Sequence, residues 1–399
     1  MTAETTFADM APETTFDVQA ARARFSSLDS GFTFLDAPGG SQVPDEVGGA
    51  MARTLREASA NIGAPYATSK RVEQILAKAR EDGARFLNAT AEEVIFGPNM
   101  TSLNFALTRT ASRDWKSGDR VLVSRLDHDG GVAPWRELAD DRGFELDWID
   151  VDDDLSLDLD DLERKLDERV RVVAFALASN AVGTVTDAAR VTKLAHAAGA
   201  LSWIDAVHYA AHEPIDVNAI DCDMLLCSPY KFCGPHLGLA YGRSTLLESW
   251  RPYKAGPAGS GALGRRFETG TSPYELLAGF SATIAYLDSL GGLGGLMNYE
   301  RRLGNRFLEH LPDNVEIYGA KTMAGRVPTF LINVSGLDAA TVASSMASKG
   351  YGVWADDNWY SLGLRPRLPY PDQALRVGLI HYNTSDEIDG FLSALAEMA

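Results

Sequence analysis

Cysteine is scarce in this sequence. Cys222, Cys227 and Cys233 are its three cysteines, crowded into one short stretch with no partner elsewhere in the 399 residues. That distribution excludes a disulfide framework. The spacing also lacks the CxxC pairs of common zinc sites, although His236 is close by, so buried thiols of a core strand are expected. Basic residues are short as well: 37 Lys and Arg face 55 Asp and Glu, and the net charge of −18 repels nucleic-acid phosphates and anionic membrane surfaces. No basic patch offsets it. The one dense charge run, 147–161, is acidic and lacks the Gly and closing Glu of a calcium loop, so it reads as a solvated loop and helix start.

Long apolar runs are missing too. None reaches about 18 residues, and the opening MTAETTFADMAPETTF carries acid where a secretion signal needs base. A soluble, cytoplasmic protein is expected, its first ~20 residues a mobile arm or one laid over a partner. No G-x-x-x-x-G-K-[ST], H-E-x-x-H or G-x-S-x-G occurs, which argues against nucleotide hydrolysis, zinc proteolysis and serine hydrolysis. Gly259 to Gly264 does satisfy G-x-G-x-x-G, but no strand precedes it and a loop is expected there.

What is present is an alternation. Apolar residues at helical spacing from residue 69 lead into a short strand over 92–96. Strands then read at 121–124, 146–151, 170–177, 201–207, 224–227 and 237–241, with helices at 159–166 and 188–198. Several strands are apolar throughout, the mark of a sheet covered on both faces. The fold class is therefore α/β: a large doubly wound, mostly parallel sheet whose ligands sit beyond the strand carboxyl ends. After residue 245 the texture turns Gly-rich (252–264, 291–295), with helices near 274–290 and 297–310. Strands near 330–334 and 375–380 and helices near 339–349 and 386–398 then suggest a smaller α+β domain. The expected organisation is an arm (1–30), a large domain (31–290) and a small domain (291–399), with 31–65 packing against the small one.

Chemistry concentrates between Trp203 and His236. Asp205 ends one buried strand, and 26 residues later Lys231 follows another. An amine entering the crevice of a sheet loses charge by desolvation and becomes able to form a Schiff base. A carboxylate at the neighbouring strand end suits a pyridine nitrogen that must stay protonated. The pair points to pyridoxal phosphate.

This stretch resembles the cofactor signature of the class V aminotransferases, fold type I pyridoxal phosphate enzymes that include the cysteine desulfurases. The resemblance runs over residues 31–399 in seven ordered segments. They are Phe34 to Gly40, Phe96 to Ser102, Asp127 to Trp135, Ser179 to Thr184, the Asp205 and Lys231 segments, and Glu268 to Thr271. It implies that Lys231 carries the cofactor, Asp205 holds the ring nitrogen and His128 stacks on the ring. Met100 and Thr101 at a helix start, with Ser228 and Tyr230, are implied to hold the phosphate. Asn180 is implied to reach the ring hydroxyl or the substrate, His208 the ring hydroxyl, and Thr271 the phosphate of a neighbouring subunit, which makes a homodimer. Leu375 to Thr384 is similar to the family's carboxylate-binding strand, so Arg376 is the implied clamp for an amino-acid substrate, with Gly39 beside it.

Two departures matter. The desulfurases place a sulfur-accepting Cys shortly before the Arg strand, whereas residues 352–361 here contain none, and Tyr230 stands where they have His. Trp354, Trp359 and Tyr360 with the Gly39-Gly40 turn suggest a roomy, partly apolar pocket. The expected reaction is C–S cleavage by β-elimination on a cysteine-derived or S-conjugated amino acid, through an external aldimine and Cα deprotonation. Epimerisation or racemisation, transamination and decarboxylation use the same electron sink, and an inactive binding subunit is the non-enzymatic alternative.

Overall fold

The computed structural model describes residues 16–255, 262–355 and 360–398. A short strand, β1 (Thr33–Phe34), precedes the main sheet. That sheet is built from β2 (Val94–Gly97), β3 (Arg120–Ser124), β4 (Glu145–Ile149), β5 (Val170–Ala176), β6 (Leu201–Asp205), β7 (Met224–Cys227) and β8 (Gly238–Gly242). Their order is β2-β8-β7-β6-β5-β3-β4. Neighbours from β7 to β4 run parallel, but β8 is antiparallel to β2 and β7. The reason is length: the connection from β7 to β8, residues 228–237, is too short for a crossover and has to return antiparallel.

Alternation explains the continuous apolar runs. Along β7, Met224 and Leu226 pack into one face with Trp135, Trp203 and Leu103. Leu225 and Cys227 pack into the other with Phe175, Ile204 and Leu239, so each face has its own core. The chain places β4 on one side of β3 and β5 on the other. This reversal opens a crevice beyond the strand carboxyl ends, where ligands of open α/β sheets bind.

The remaining strands, β9 (Val315–Tyr318), β10 (Thr329–Val334), β11 (Tyr351–Gly352), β12 (Trp354–Ala355) and β13 (Ala374–Gly378), belong to the C-terminal part. There β12-β13-β10-β9 form an antiparallel sheet over its own core, and β1 pairs with β11. The segment after β1 divides its contacts: Leu35 accepts from Gly378 N, while helix Asp45–Glu57 packs on helix Tyr274–Ser289 of the large unit.

Two expectations need correction. The helix placed near 297–310 spans Gly292–Glu309, and so takes in most of the Gly-rich stretch 291–295. Its early Leu293 and Leu296 are buried in the large core and its later Leu303 and Phe307 in the small one, and that burial outweighs poor glycine propensity. The arm is also docked where it is described. Phe16 packs on Tyr299, and Phe25, 1% exposed, packs on Tyr286 and Tyr382. Residues 1–15, the first half of the Gly259–Gly264 match (259–261), and Trp359 lie outside the described residues. Among those described, no single helix is long and apolar enough to cross a membrane.

The two units are clasped at residues 179–185. Gly183 has φ +75°, its carbonyl accepts from Val327 N, and a Cβ there would lie 2.5 Å from the Thr329 carbonyl oxygen. Gly199 has a similar φ of +77° with open space around it. Gly183→Ala is therefore expected to cost roughly 2–4 kcal/mol, strain plus overpacking, against about 1 for Gly199→Ala. Thermal and urea unfolding midpoints check the difference, and equal midpoints would refute the clasp.

Candidate active site

Loops after β3, β5, β6 and β7 converge with β12 and β13 around one cavity of about 270 Å³ at the strand carboxyl ends. Every site position expected from sequence lines it except Thr271, which sits exposed in a turn next to Gly270 at φ +71°.

Lys231 reaches the cavity because Ser228-Pro229 turns sharply out of β7 into a single 3-10 turn, Pro229–Lys231. The amine is buried, and its Nζ donates to the Pro38 carbonyl and lies 4.5 Å from the centre of the Tyr230 ring. Burial, and then Arg376, lower its pKa to about 7, opposed by Asp205 and Asp36. At neutral pH it is thus a nucleophile or base to a substantial extent.

Asp205 closes β6, and its Oδ1 accepts from Val207 N at 2.9 Å. Burial pushes it up to about 6, which leaves it mainly ionised at neutral pH. Sequence reasoning quoted Asp127 within a matched segment but gave it no role. It is 2% exposed, its Oδ2 accepts from Ala176 N at 2.9 Å, and burial and then the Asp205 charge push it up to about 8. The two acids thus separate: Asp127 keeps its proton while Asp205 carries the charge. Gly131 allows this crowding, since a Cβ there would stand 2.8 Å from Asp127 Oδ1 and 3.4 Å from Asp205 Oδ2.

His128 caps helix Asp129–Arg142, its Nδ1 accepting from Gly130 N at 2.9 Å. Burial, Lys231 and Arg376 lower its pKa to about 4, so it presents a neutral ring, 5.5 Å from that of Tyr360. Helix Met100–Ala111 points its N-terminus at the cavity. Its cap Asn99 uses the side chain on Ser102 N and the carbonyl on Leu103 N, leaving the N–H groups of Met100 and Thr101 for an anion beside Thr101 and Ser228.

Arg376 comes from the middle of β13 and is 3% exposed. Its Nη1 donates to the Asn180 carbonyl at 3.2 Å, and its guanidinium carbon lies 5.5 Å from the Trp354 ring. Burial lowers its pKa to about 10, which still leaves it charged. The Asn180 side chain accepts from Ser361 Oγ at 2.8 Å. Trp354 lies where a Cβ on Gly39 would come within 2.5 Å of its ring, so Gly39 makes room for the indole. Asp36, also missed, puts a buried, unpartnered Oδ1 near both cations, and burial raises its pKa.

The three thiols lie elsewhere. All are buried, none lines the cavity, and burial raises their pKa values. Cys233 follows the Lys231 turn in the left-handed region, at φ +67°.

The profile of the family described as Aminotransferase class-V matches residues 33–391. A probable cysteine desulfurase of Synechocystis is 30% identical over 382 residues, covering 91% of this chain and 90% of the relative. A cysteine desulfurase of Klebsiella pneumoniae is 30% identical over 404 residues, covering 96% and 98%. The apo structure of cysteine desulfurase from Thermococcus onnurineus superimposes with a TM-score of 0.89 at 25% identity, covering 95% of this chain and 97% of that one.

The lowered Lys231 pKa has a consequence for stability. Between about 7 and the ordinary value of 10.5 the unfolded chain binds a proton that the folded chain does not, so this residue makes stability rise with pH through that window. Lys231→Met is expected to stabilise the cofactor-free chain by roughly 2–4 kcal/mol near pH 7, the gain vanishing as pH approaches 10.5. Urea unfolding at several pH values checks this, and a pH-independent difference would refute it.

Proposed function

The chain belongs to the class-V aminotransferase family of pyridoxal phosphate enzymes, and from that premise we propose that it is a C–S lyase. Its substrate in this reading is a cysteine-derived or S-conjugated amino acid, cleaved by β-elimination. One observation carries the reading: the cavity joins the Lys231 amine to the Arg376 guanidinium, the two groups an α-amino acid requires, while every thiol of the chain is buried outside it. The desulfurase relatives support C–S chemistry.

The cavity suits the cofactor. A buried amine with pKa about 7 fits an aldehyde, the Asp205 carboxylate fits a protonated ring nitrogen, and the free N–H groups at Met100 and Thr101 fit a phosphate. Ser228 and Tyr230 line the same wall, and His128 offers a neutral face for the ring.

When bound, the cofactor supplies the electron sink that acidifies the substrate Cα–H. Arg376 Nη atoms take the substrate carboxylate in a bidentate pair, with Trp354 and Asn180 fixing the guanidinium. Lys231 Nζ would accept the Cα proton, a task matched to its pKa near neutrality. Asp205 holds the proton at the ring nitrogen, and Asp127, remaining protonated, adds no second negative charge beside it. The Cβ–S bond then breaks with its electron pair leaving on sulfur, and hydrolysis gives a thiol, pyruvate and ammonium without a protein persulfide. The aromatic wall of Trp354, Tyr230 and Tyr360 favours an apolar group on sulfur.

Three outcomes are expected. Lys231→Ala removes the borohydride-reducible visible band of the loaded protein; a persisting reducible band would refute the anchor. The Cys222→Ala, Cys227→Ala, Cys233→Ser variant turns over S-benzyl-L-cysteine within about twofold of wild type, as pyruvate release measures, with circular dichroism as folding control. Selective loss with cofactor bound would revive a persulfide route, and loss of optical rotation without thiol release would indicate epimerisation. In this reading the enzyme is also a cytoplasmic homodimer, with Thr271 reaching the partner's phosphate. Light scattering should give twice the chain mass, and Thr271→Tyr mixed with Lys231→Ala should restore activity that neither has alone.

A further inference from the structure

His208 enters the cavity wall from the loop after β6, but its ring is held from the other unit. Its Nε2 lies 2.8 Å from Thr329 Oγ1, on the first residue of β10, and both residues are buried, at 3% and 0% exposure. Among the described residues this is the only hydrogen bond of the Thr329 hydroxyl, and Nδ1 of His208 has no partner.

Two arrangements are open to the pair. If Nε2 carried the proton and donated to Oγ1, the threonine O–H would be buried without an acceptor, a cost of about 1–3 kcal/mol. If the O–H donates to Nε2, the imidazole proton sits on Nδ1 and no donor is stranded. We propose that Thr329 is a positioning residue that fixes His208 as the neutral Nδ1–H tautomer, so that Nδ1 donates into the cavity to the ring oxygen of the cofactor. This rests on the reading that His208 faces that oxygen.

The surroundings support a neutral ring. His212 meets His208 edge to face at 5.2 Å and is itself tied to Glu300, its Nδ1 2.7 Å from Oε2. Burial, with His212, Lys231 and Arg376 nearby, holds His208 well below the usual imidazole range. The threonine is in turn rigid: its N donates to the Val327 carbonyl, and its carbonyl accepts from Arg326 Nη2, both at 2.7 Å. One hydroxyl thereby carries the placement of the small unit to the cofactor's electronics.

The test uses the full chain labelled with ¹⁵N-histidine, before and after loading with pyridoxal phosphate. Long-range proton–nitrogen spectra report which ring nitrogen is protonated, and the His208 signals are identified by their loss in His208→Leu. Wild type and Thr329→Ser are expected to carry the proton on Nδ1. Thr329→Val should show Nε2–H or an exchanging mixture before the cofactor is added and, once loaded, a shifted visible absorption maximum and cofactor affinity weakened roughly five- to tenfold, all restored in Thr329→Ser. An Nε2–H tautomer in wild type overturns the proposal, and needs no variant to fold. An unchanged tautomer in cofactor-free Thr329→Val also overturns it. Failure of the underlying reading looks different: His208→Leu would then keep wild-type cofactor affinity and absorption, whatever the tautomer.

Discussion

The constraint on which this molecule turns is that an amine buried beyond the end of a β-sheet is costly to charge. Asp205, Asp36, Arg376 and the rings of His128 and His208 are arranged around Lys231, and burial is the largest influence on each. The sheet supplies that burial. With both faces packed, its carboxyl edge opens on the one place where loops after parallel strands meet the C-terminal unit, and polar groups there see little water. The site's reactivity is therefore a property of the fold's layering as much as of the residues.

Much of this was legible in the sequence, for identifiable reasons. Apolar runs such as 172–176 and 224–227 fit a doubly covered sheet, and the spacing of Asp205 and Lys231 fits adjacent strand ends. The cavity lining followed from segments that resemble a known family. What escaped had no local signature. The reversal of β8 depends on the length of its connection. Asp127 looks like any acid in a polar segment until Gly131 brings it beside Asp205. Tertiary burial decided the early start of the helix at Gly292 against local propensity. Thr329 lies 121 residues from His208, and no periodicity links them.

The setting of Arg376 shows how small residues set the shape of a site. Gly39 has no side chain, Trp354 fills that space, and the indole rests near Arg376. A glycine on one loop thus sets the orientation of a guanidinium on a distant strand, through an aromatic ring from a third.

The helix Gly292–Glu309 is a rod anchored at both ends, Leu293 and Leu296 in one core and Leu303 and Phe307 in the other. Such a rod does not hinge. Swinging one unit away from the other would withdraw at least two of these side chains, at roughly 1.5–3 kcal/mol each. Parting the two units at this helix therefore carries a cost that a change of side-chain rotamer at Trp354 or Tyr360 beside the cavity does not.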